Sequence, residues 1–600
     1  MKKIIVANIL ALFAIIAGSG CGGGGRDECR AVRTACNPID LSYRFRLEAP
    51  SRREAADPSI VRFGDDYYLF VSKSGGYFRS SDLVEWELIV PESEFPLENY
   101  APTAEVIGDA VYFITSGYDK VLKSTDPKSG KWEVARENLD LAKSDADPAL
   151  FLDDDGRLYF YGGCSNLDPI RGMELDPETF GIIGSPLPML NSIREKYGWE
   201  VQGDYNTLPE RRPWIEGAWL NKHNGRYYLQ YAGPGTEFKS YNDGVYVADS
   251  PLGPFTLAAH NPFAYKPEGF APGAGHGSTF KDKYGNCWHA GTVNISMRHS
   301  FERRLSLFPV FFDEDGEMYA HTGFGDYPYI VPDRKINSPE ELFPEWMLLS
   351  YNKKVIVSST LERDEAIDED MNRWWIKAED FSGKNAVDEE IRTWWSAKTG
   401  KAGEWFAVDL ERECEVYALQ INFADQNADL YGRSRGIRYL YTVESSDDGK
   451  TWKTLFDRLH DTLRDNLRDA PHEYIQLKTP AKTRYLRINN IAVPSGRFSL
   501  HDFRVFGKSG IDAPPAVEGF AAERGSDRRT VHLSWNEAQG ASGYNIRFGT
   551  KEGKLYQNYM VYSKTELSVN VLNVDQPYFF SIDSFNEGGI SKGSAVIKTL

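Results

Sequence analysis

Five times in its first half the sequence repeats one short plan. A small or polar start leads into an alternating stretch, then a turn of Gly, Asp or Asn, then an aromatic stretch. The copies are ADPSIVRFGDDYYLFVS from Ala56, APTAEVIGDAVYFITS from Ala101, ADPALFLDDDGRLYFYGG from Ala146, IEGAWLNKHNGRYYLQYAG from Ile215 and GHGSTFKDKYGNCWHAGT from Gly275. Alternation of period two, broken by such a turn, is the pattern of two antiparallel strands. A second echo follows four of the copies: FRSSDLVEWELI, LKSTDPKSGKWEVA, VYVADSPLGPFTLA and, more loosely, GMELDPETFGIIG. It adds two outer strands to each unit.

Units of about four strands, repeated every roughly 45 to 70 residues, predict a five-bladed β-propeller over 45–350. The alternative is an all-β sandwich with accidental similarity, which five matched hairpins disfavour. In a propeller the first strand of each blade lines the central axis, so the starts of those strands converge. Asp57, Asp147 and Glu216 stand at three such starts, in the first, third and fourth copies. Asp before Pro is by itself a common turn device. Three acids converging on one pocket repel one another, however, and that arrangement points to catalysis.

The set ADPSI, YAPTA, DADPALFLDDDGRLYFYGG, WIEGAWLNKHNGRYYLQYA and GHGSTF resembles glycoside hydrolase family 43 over about residues 50 to 335. The resemblance implies a five-bladed propeller that cleaves furanosides or pyranosides with inversion. It also implies Asp57 as general base, Glu216 as general acid, and Asp147 as the carboxylate that tunes and orients Glu216. Inverting chemistry needs an acid for the leaving oxygen and a base holding water on the opposite face. A nearby anion and partial burial among Trp214 and Trp219 are expected to keep Glu216 protonated. Gly217, directly after the acid, is expected to let substrate approach closely. By the same resemblance Arg303 contacts the sugar, with Arg304 as the neighbouring alternative. Tyr100 stands where the family usually has Trp, and Thr103 and Trp214 complete the expected substrate contacts. His276 matches a position facing an axial calcium or sodium ion through water. A hydrogen-bonded core histidine is the alternative there. The chemistry itself requires no cofactor.

Composition agrees with a carbohydrate partner. The formal net charge of −18 argues against nucleic acid and anionic membrane surfaces, while 13% aromatic content suits stacking on sugars. At the N-terminus, MKK and IIVANILALFAII form a secretory signal, and no second apolar run is long enough to span a bilayer. AGSGC followed by GGGG resembles a bacterial lipoprotein signal over 1–21 with Cys21 lipidated, although Gly18 stands where such signals usually carry Leu. The expected location is the outer membrane or cell surface of a Gram-negative bacterium, with the periplasm as alternative and a lipid anchor as the membrane contact. Residues 22–44 read as a linker. Cys29 and Cys36 are close enough to pair in an oxidising compartment, whereas Cys164, Cys287 and Cys414 read as core residues.

In the second half, KNAVDEEIRTWWSAKTGKAGEWFAVDLE, YALQINFAD, YTVESSDDGKTWKTL, TRYLRINNIAV and SLHDFRVFG resemble a discoidin, coagulation-factor C-terminal-type domain. The resemblance covers 353–508 and implies an eight-stranded jelly roll. AIDEDMNRWWIKAEDFSG reads as inserted before it. Trp374, Trp375, Trp394 and Trp395 are candidate sugar platforms, although burial is the commoner role for Trp, and Asp388 is a candidate ligand for structural calcium. SSDDGKTW matches a sialidase box but occurs once, so it reads as a hairpin turn. Residues 513–600, with Trp535, Tyr544 and Tyr578, resemble a fibronectin type III sandwich with a tyrosine corner, expected to act as spacer or docking surface. The whole reads as an inverting glycosidase on oligo- or polysaccharide. α-L-Arabinofuranoside is the first choice of substrate, ahead of β-D-xyloside and β-D-galactofuranoside. The rival reading is a non-catalytic carbohydrate-binding propeller.

Overall fold

The computed structural model describes residues 32–362 and 380–599, apart from 93, 140, 142–145, 296–297, 434–435, 437, 460–468 and 594. The signal segment, Cys21, Cys29, Trp374 and Trp375 lie outside the described residues. The fold is all-β. Its first half holds five four-stranded antiparallel sheets, each with its strands in sequence order. They open with Ser59–Phe63, Pro102–Ile107, Ala149–Leu152, Glu216–His223 and Gly275–Lys281. All five hairpins read from the sequence are present, and the four echoes supply the third and fourth strands. Among the described residues no sheet closes on itself. The opening strands instead touch one another in cyclic order, the fifth meeting the first. Side chains tie them: Ala104 N–H donates to Ser59 Oγ at 3.1 Å, Leu150 N–H to Thr103 Oγ1 at 3.4 Å and Ile60 N–H to Ser278 Oγ at 3.2 Å.

The hairpin glycines Gly64, Gly108, Gly156, Gly225 and Gly285 all have φ between +62° and +85°, and an added Cβ would meet nothing within 4 Å at any of them. Glycine is required there by backbone conformation rather than by space. The second strands are flanked on both faces by neighbouring sheets. Leu158–Gly162 and Cys287–Asn294 are buried throughout, which is why they read as near-continuous apolar runs.

The expected linker begins to pack earlier than the sequence suggested. Thr34–Ala35 pairs with Tyr329–Ile330, and Ile39, Leu41 and Tyr43 enter the core of the first and fifth sheets. Their spacing of two was the unread signal. Cys36 carries a free buried thiol that donates to the Asp326 carbonyl at 3.2 Å, so the expected pairing with Cys29 is not present at this residue.

Residues 347–508 contribute eight strands to one hydrogen-bonded network built on Trp405–Phe423, His472–Ala492 and Ser499–Lys508. Trp394 and Trp395 are buried core residues there, not sugar platforms. Asp388 accepts from Thr393 Oγ1 at 2.8 Å and Glu390 N–H at 3.0 Å, which makes it a turn cap. In SSDDGKTW, Asp448 accepts the Lys450 and Thr451 amides and Gly449 has φ +68°, the turn device expected. Residues 521–599 form a three-stranded and a five-stranded sheet. The Tyr578 hydroxyl accepts Asn573 N–H at 3.1 Å. This part is no free spacer. Gly198 N–H donates to Leu572 O at 3.0 Å and Trp199 Nε1 to Asn573 Oδ1 at 3.1 Å, and one apolar core joins it to the fourth sheet.

Candidate active site

The entries to the five opening strands share one backbone feature. Asp57, Ala101, Asp147, Gly217 and His276 all have positive φ, between +46° and +59°. Asp and His tolerate this region better than most residues. Three of the five are fixed by hydroxyls of the preceding sheet. Thr292 Oγ1 accepts Asp57 N–H at 3.1 Å, Ser72 Oγ accepts Ala101 N–H at 2.7 Å, and Ser116 Oγ accepts Asp147 N–H at 2.9 Å. His276 N–H donates to Asp243 Oδ1 at 2.8 Å. The position equivalent to Asp57 in the fourth sheet is therefore Gly217. Glu216 stands one residue earlier, where the register shifts between Glu216 and Trp219. A Cβ on Gly217 would lie 2.6 Å from the His276 ring, so that ring, on this geometry, is what demands glycine.

Asp57 is buried beside a cation. Its Oδ1 accepts from Arg303 Nη1 at 3.1 Å and its Oδ2 from Ser72 Oγ at 2.6 Å. Burial alone would raise this carboxyl. Arg303, His276 and Ser72 outweigh burial and hold it below the ordinary carboxylate range. Arg303 also donates to Thr236 Oγ1 at 3.0 Å and Glu54 Oε1 at 2.7 Å. Arg304 points away, to His472 and the Arg53 carbonyl, which assigns the pocket to Arg303.

Glu216 accepts from the Tyr241 hydroxyl on Oε1 and from Cys164 Sγ at 3.1 Å on Oε2. Asp147, Cys164 and Glu216 bring ligand-type atoms within 4.8 Å of one another. Burial pushes Asp147 up to about 7. His276 opposes the rise, and the charges of Glu216 and Asp57 reinforce it. Cys164 is thus no core residue but part of the acid cluster. Burial and the two carboxylates push its thiol strongly up and keep it a neutral donor. Cys287 and Cys414 are buried as expected.

His276 Nδ1 lies 3.3 Å from Asp57 Oδ1 and 3.7 Å from Asp147 Oδ2. Burial disfavours its charge, but Asp57, Asp147, Glu216 and Asp243 together raise its pKa. Nδ1 is thus the ring nitrogen turned to the two carboxylates.

Tyr100 stands beside this cluster. Its hydroxyl accepts from Arg46 Nη1 at 3.1 Å, its ring lies 5.9 Å from the Arg303 guanidinium, and Phe301 meets it edge-on at 6.1 Å. Trp214 is 41% exposed, immediately before Ile215 and Glu216. Trp219 sends its indole N–H to Thr279 O at 3.1 Å. The hydrogen-bond partners of Glu216 are therefore Tyr241 and Cys164 rather than either indole. The Thr103 side chain is buried, and its hydroxyl accepts Leu150 N–H and ties the second sheet to the third. Glu54, Arg46, Ser72, Ser116, Tyr241 and Cys164 were not singled out for the site from the sequence. Only the hydroxyls closing SKS and TSG after each aromatic strand carried a repeated signal.

Residues 51–318 match the family model Glycosyl hydrolases family 43. The chain carries a family 43 domain. Residues 366–502 match F5/8 type C domain. The family 43 region is similar to a xylosidase/arabinosidase of Butyrivibrio fibrisolvens, 32% identical over 30% of this chain and 38% of that protein. It is 27% identical to a non-reducing end alpha-L-arabinofuranosidase of Bacteroides ovatus, over 43% of this chain and 50% of that protein. A beta-D-galactofuranosidase of Aspergillus niger is 28% identical over 44% of this chain and 81% of that protein. The chain thus spans half or less of the length of the first two of these relatives. A solved structure described as a glycoside hydrolase aligns with a TM-score of 0.44 at 19% identity, over 78% of this chain and 100% of that one.

Proposed function

We propose that this chain is an inverting glycoside hydrolase and that its five sheets are the blades of a β-propeller over 45–350. One observation carries the reading. A buried, arginine-held carboxylate, Asp57, and a buried carboxyl whose pKa is pushed up to about 7, Asp147, meet at His276. Asp57, kept ionised, is the base that takes a proton from water. Glu216 is the acid that protonates the leaving oxygen, held by Tyr241 and Cys164 beside Asp147. His276 stands between Asp57 and Asp147, with Nδ1 toward both. Arg303 and Tyr100 form the sugar-facing wall. The substrate classes are α-L-arabinofuranosides first, then β-D-xylosides and β-D-galactofuranosides, in keeping with the names of the relatives. Lipid anchoring through Cys21 at the cell surface, a fibronectin type III-like fold for 513–600, and a water-held calcium or sodium ion at His276 belong to the same proposal. The ion's part would be structural.

Inversion needs the two carboxyls roughly 6.5–9.5 Å apart, with water beside the base. Proton NMR of the first-formed product, taken before mutarotation, reads the outcome, and the expected anomer is inverted. A retained anomer removes Asp57 from the base role. Glu216→Gln is expected to lose roughly 10²–10⁴-fold on poor leaving groups and less on aryl glycosides. Asp57→Asn is expected to lose both. Turnover on no aryl glycoside or natural oligosaccharide would favour the non-catalytic carbohydrate binder.

A further inference from the structure

The approach to Asp57 concentrates charge in the interior. Arg46, Arg52, Arg53 and Glu54 are each at most 2% exposed. Buried charges persist only when paired, and the pairing here runs two ways. Glu54 faces the pocket and holds Arg303 and Arg46, and Arg46 reaches the Tyr100 hydroxyl. Arg53, the adjacent residue, faces the opposite side. Its Nε donates to Asp425 Oδ2 at 2.7 Å, and its Nη1 lies 2.7 Å from Asp469 Oδ2. Alternation along extended backbone explains the opposed directions. Phe45 pairs with Arg53 across this segment and stacks its ring 4.0 Å from the guanidinium.

The discoidin-type domain grips the same segment by its backbone. Gly432 N–H donates to Phe45 O at 3.0 Å. Ser51 Oγ donates to Leu430 O at 2.8 Å and accepts Leu430 N–H at 3.0 Å. Arg433 reaches Ser42 Oγ at 2.7 Å and Ser74 O at 3.0 Å. The 425–433 loop is thus occupied by the segment that supplies Glu54.

We propose that the discoidin-type domain completes the catalytic site, with Asp425 a positioning residue that acts through Arg53 and Glu54 to hold Arg303 on Asp57. This rests on the reading of Asp57 as the base. Without the Asp425 anchor, Glu54 no longer fixes the guanidinium plane, and Asp57 is left to the burial that raises it.

Asp425→Asn in the full chain tests the proposal, since it keeps the side-chain volume and removes the charge. The expected result is a kcat loss of roughly tenfold or more with KM changed by less than about threefold. The acid limb of kcat/KM should move up by about half a pH unit or more, and amide exchange across 42–57 should quicken. Lys554→Gln, which breaks the ties to Asp313 and Asp315 elsewhere, should lower Tm and leave limb and exchange unchanged. A folded Asp425→Asn chain with the wild-type limb and exchange overturns the proposal, as does the same shift in Lys554→Gln. If Asp425→Asn does not fold, Ser51→Ala loses only the Leu430 contacts. It should move kcat, limb and exchange in the same directions, and no movement overturns the proposal. If the wild-type chain cleaves no glycoside, the functional reading falls, and amide exchange in 42–57 alone decides this one.

Discussion

Asp147 sets the residue-scale behaviour. Its pKa, pushed up to about 7 by burial, means that Asp147 keeps a proton below that pH and loses it above. Asp57, held low, is already charged through the same range. The sign is therefore fixed: kcat/KM should fall as pH rises through about 7, read from initial rates on an unactivated glycoside. Asp147→Asn removes the group that titrates there, so the basic limb near pH 7 should disappear. A limb that stays in place would assign it to another group. Asp57, Asp147 and Glu216 were legible because three acids recurred at strand starts. Cys164 was not, because a lone Cys after an aromatic strand has the look of core until its partner, Glu216, is known from the fold.

At the scale of elements, two glycines with similar backbones separate conformation from contact. Gly217 and Gly225 have φ of +59° and +78°, yet a Cβ meets the His276 ring at 2.6 Å in one case and nothing within 4 Å in the other. Gly225→Ala should lower stability by about 1 kcal/mol and leave kcat unchanged. Gly217→Ala carries that strain and also displaces His276, so both Tm and kcat should fall. Equal kcat in the two variants would separate His276 from the chemistry. The hairpins were readable because their turns need glycine and their strands alternate. The one-residue offset of Glu216 was not, since a register shift leaves no mark in alternation. The hydroxyls of Ser72 and Ser116 left a repeated signal, but their role and that of Thr292 did not show, because each caps an amide on a different sheet.

At the scale of the whole molecule, apolar cores are shared between its parts. Trp199 and Tyr231 of the family 43 region share one cluster with Val531, Tyr544 and Tyr578, and a second cluster joins Cys36, Trp346, Phe506 and Phe585. Calorimetry should therefore show one cooperative transition. A chain ended after residue 512 should melt lower and expose apolar surface to dye, whereas an independent spacer would leave Tm unchanged. Sequence resolved each part because its pattern is local. The joints use ordinary residues such as Arg53, Leu572 and Asn573, whose partners lie hundreds of positions away. The amide of Asp57 waits for Thr292 and its carboxylate for Arg303. On a ribosome, Asp57 emerges 235 and 246 residues ahead of Thr292 and Arg303, the two partners that set it. A nascent chain halted before the fifth sheet holds Asp57, Asp147 and Glu216 in sequence but lacks the Thr292 and Arg303 that fix Asp57 in place.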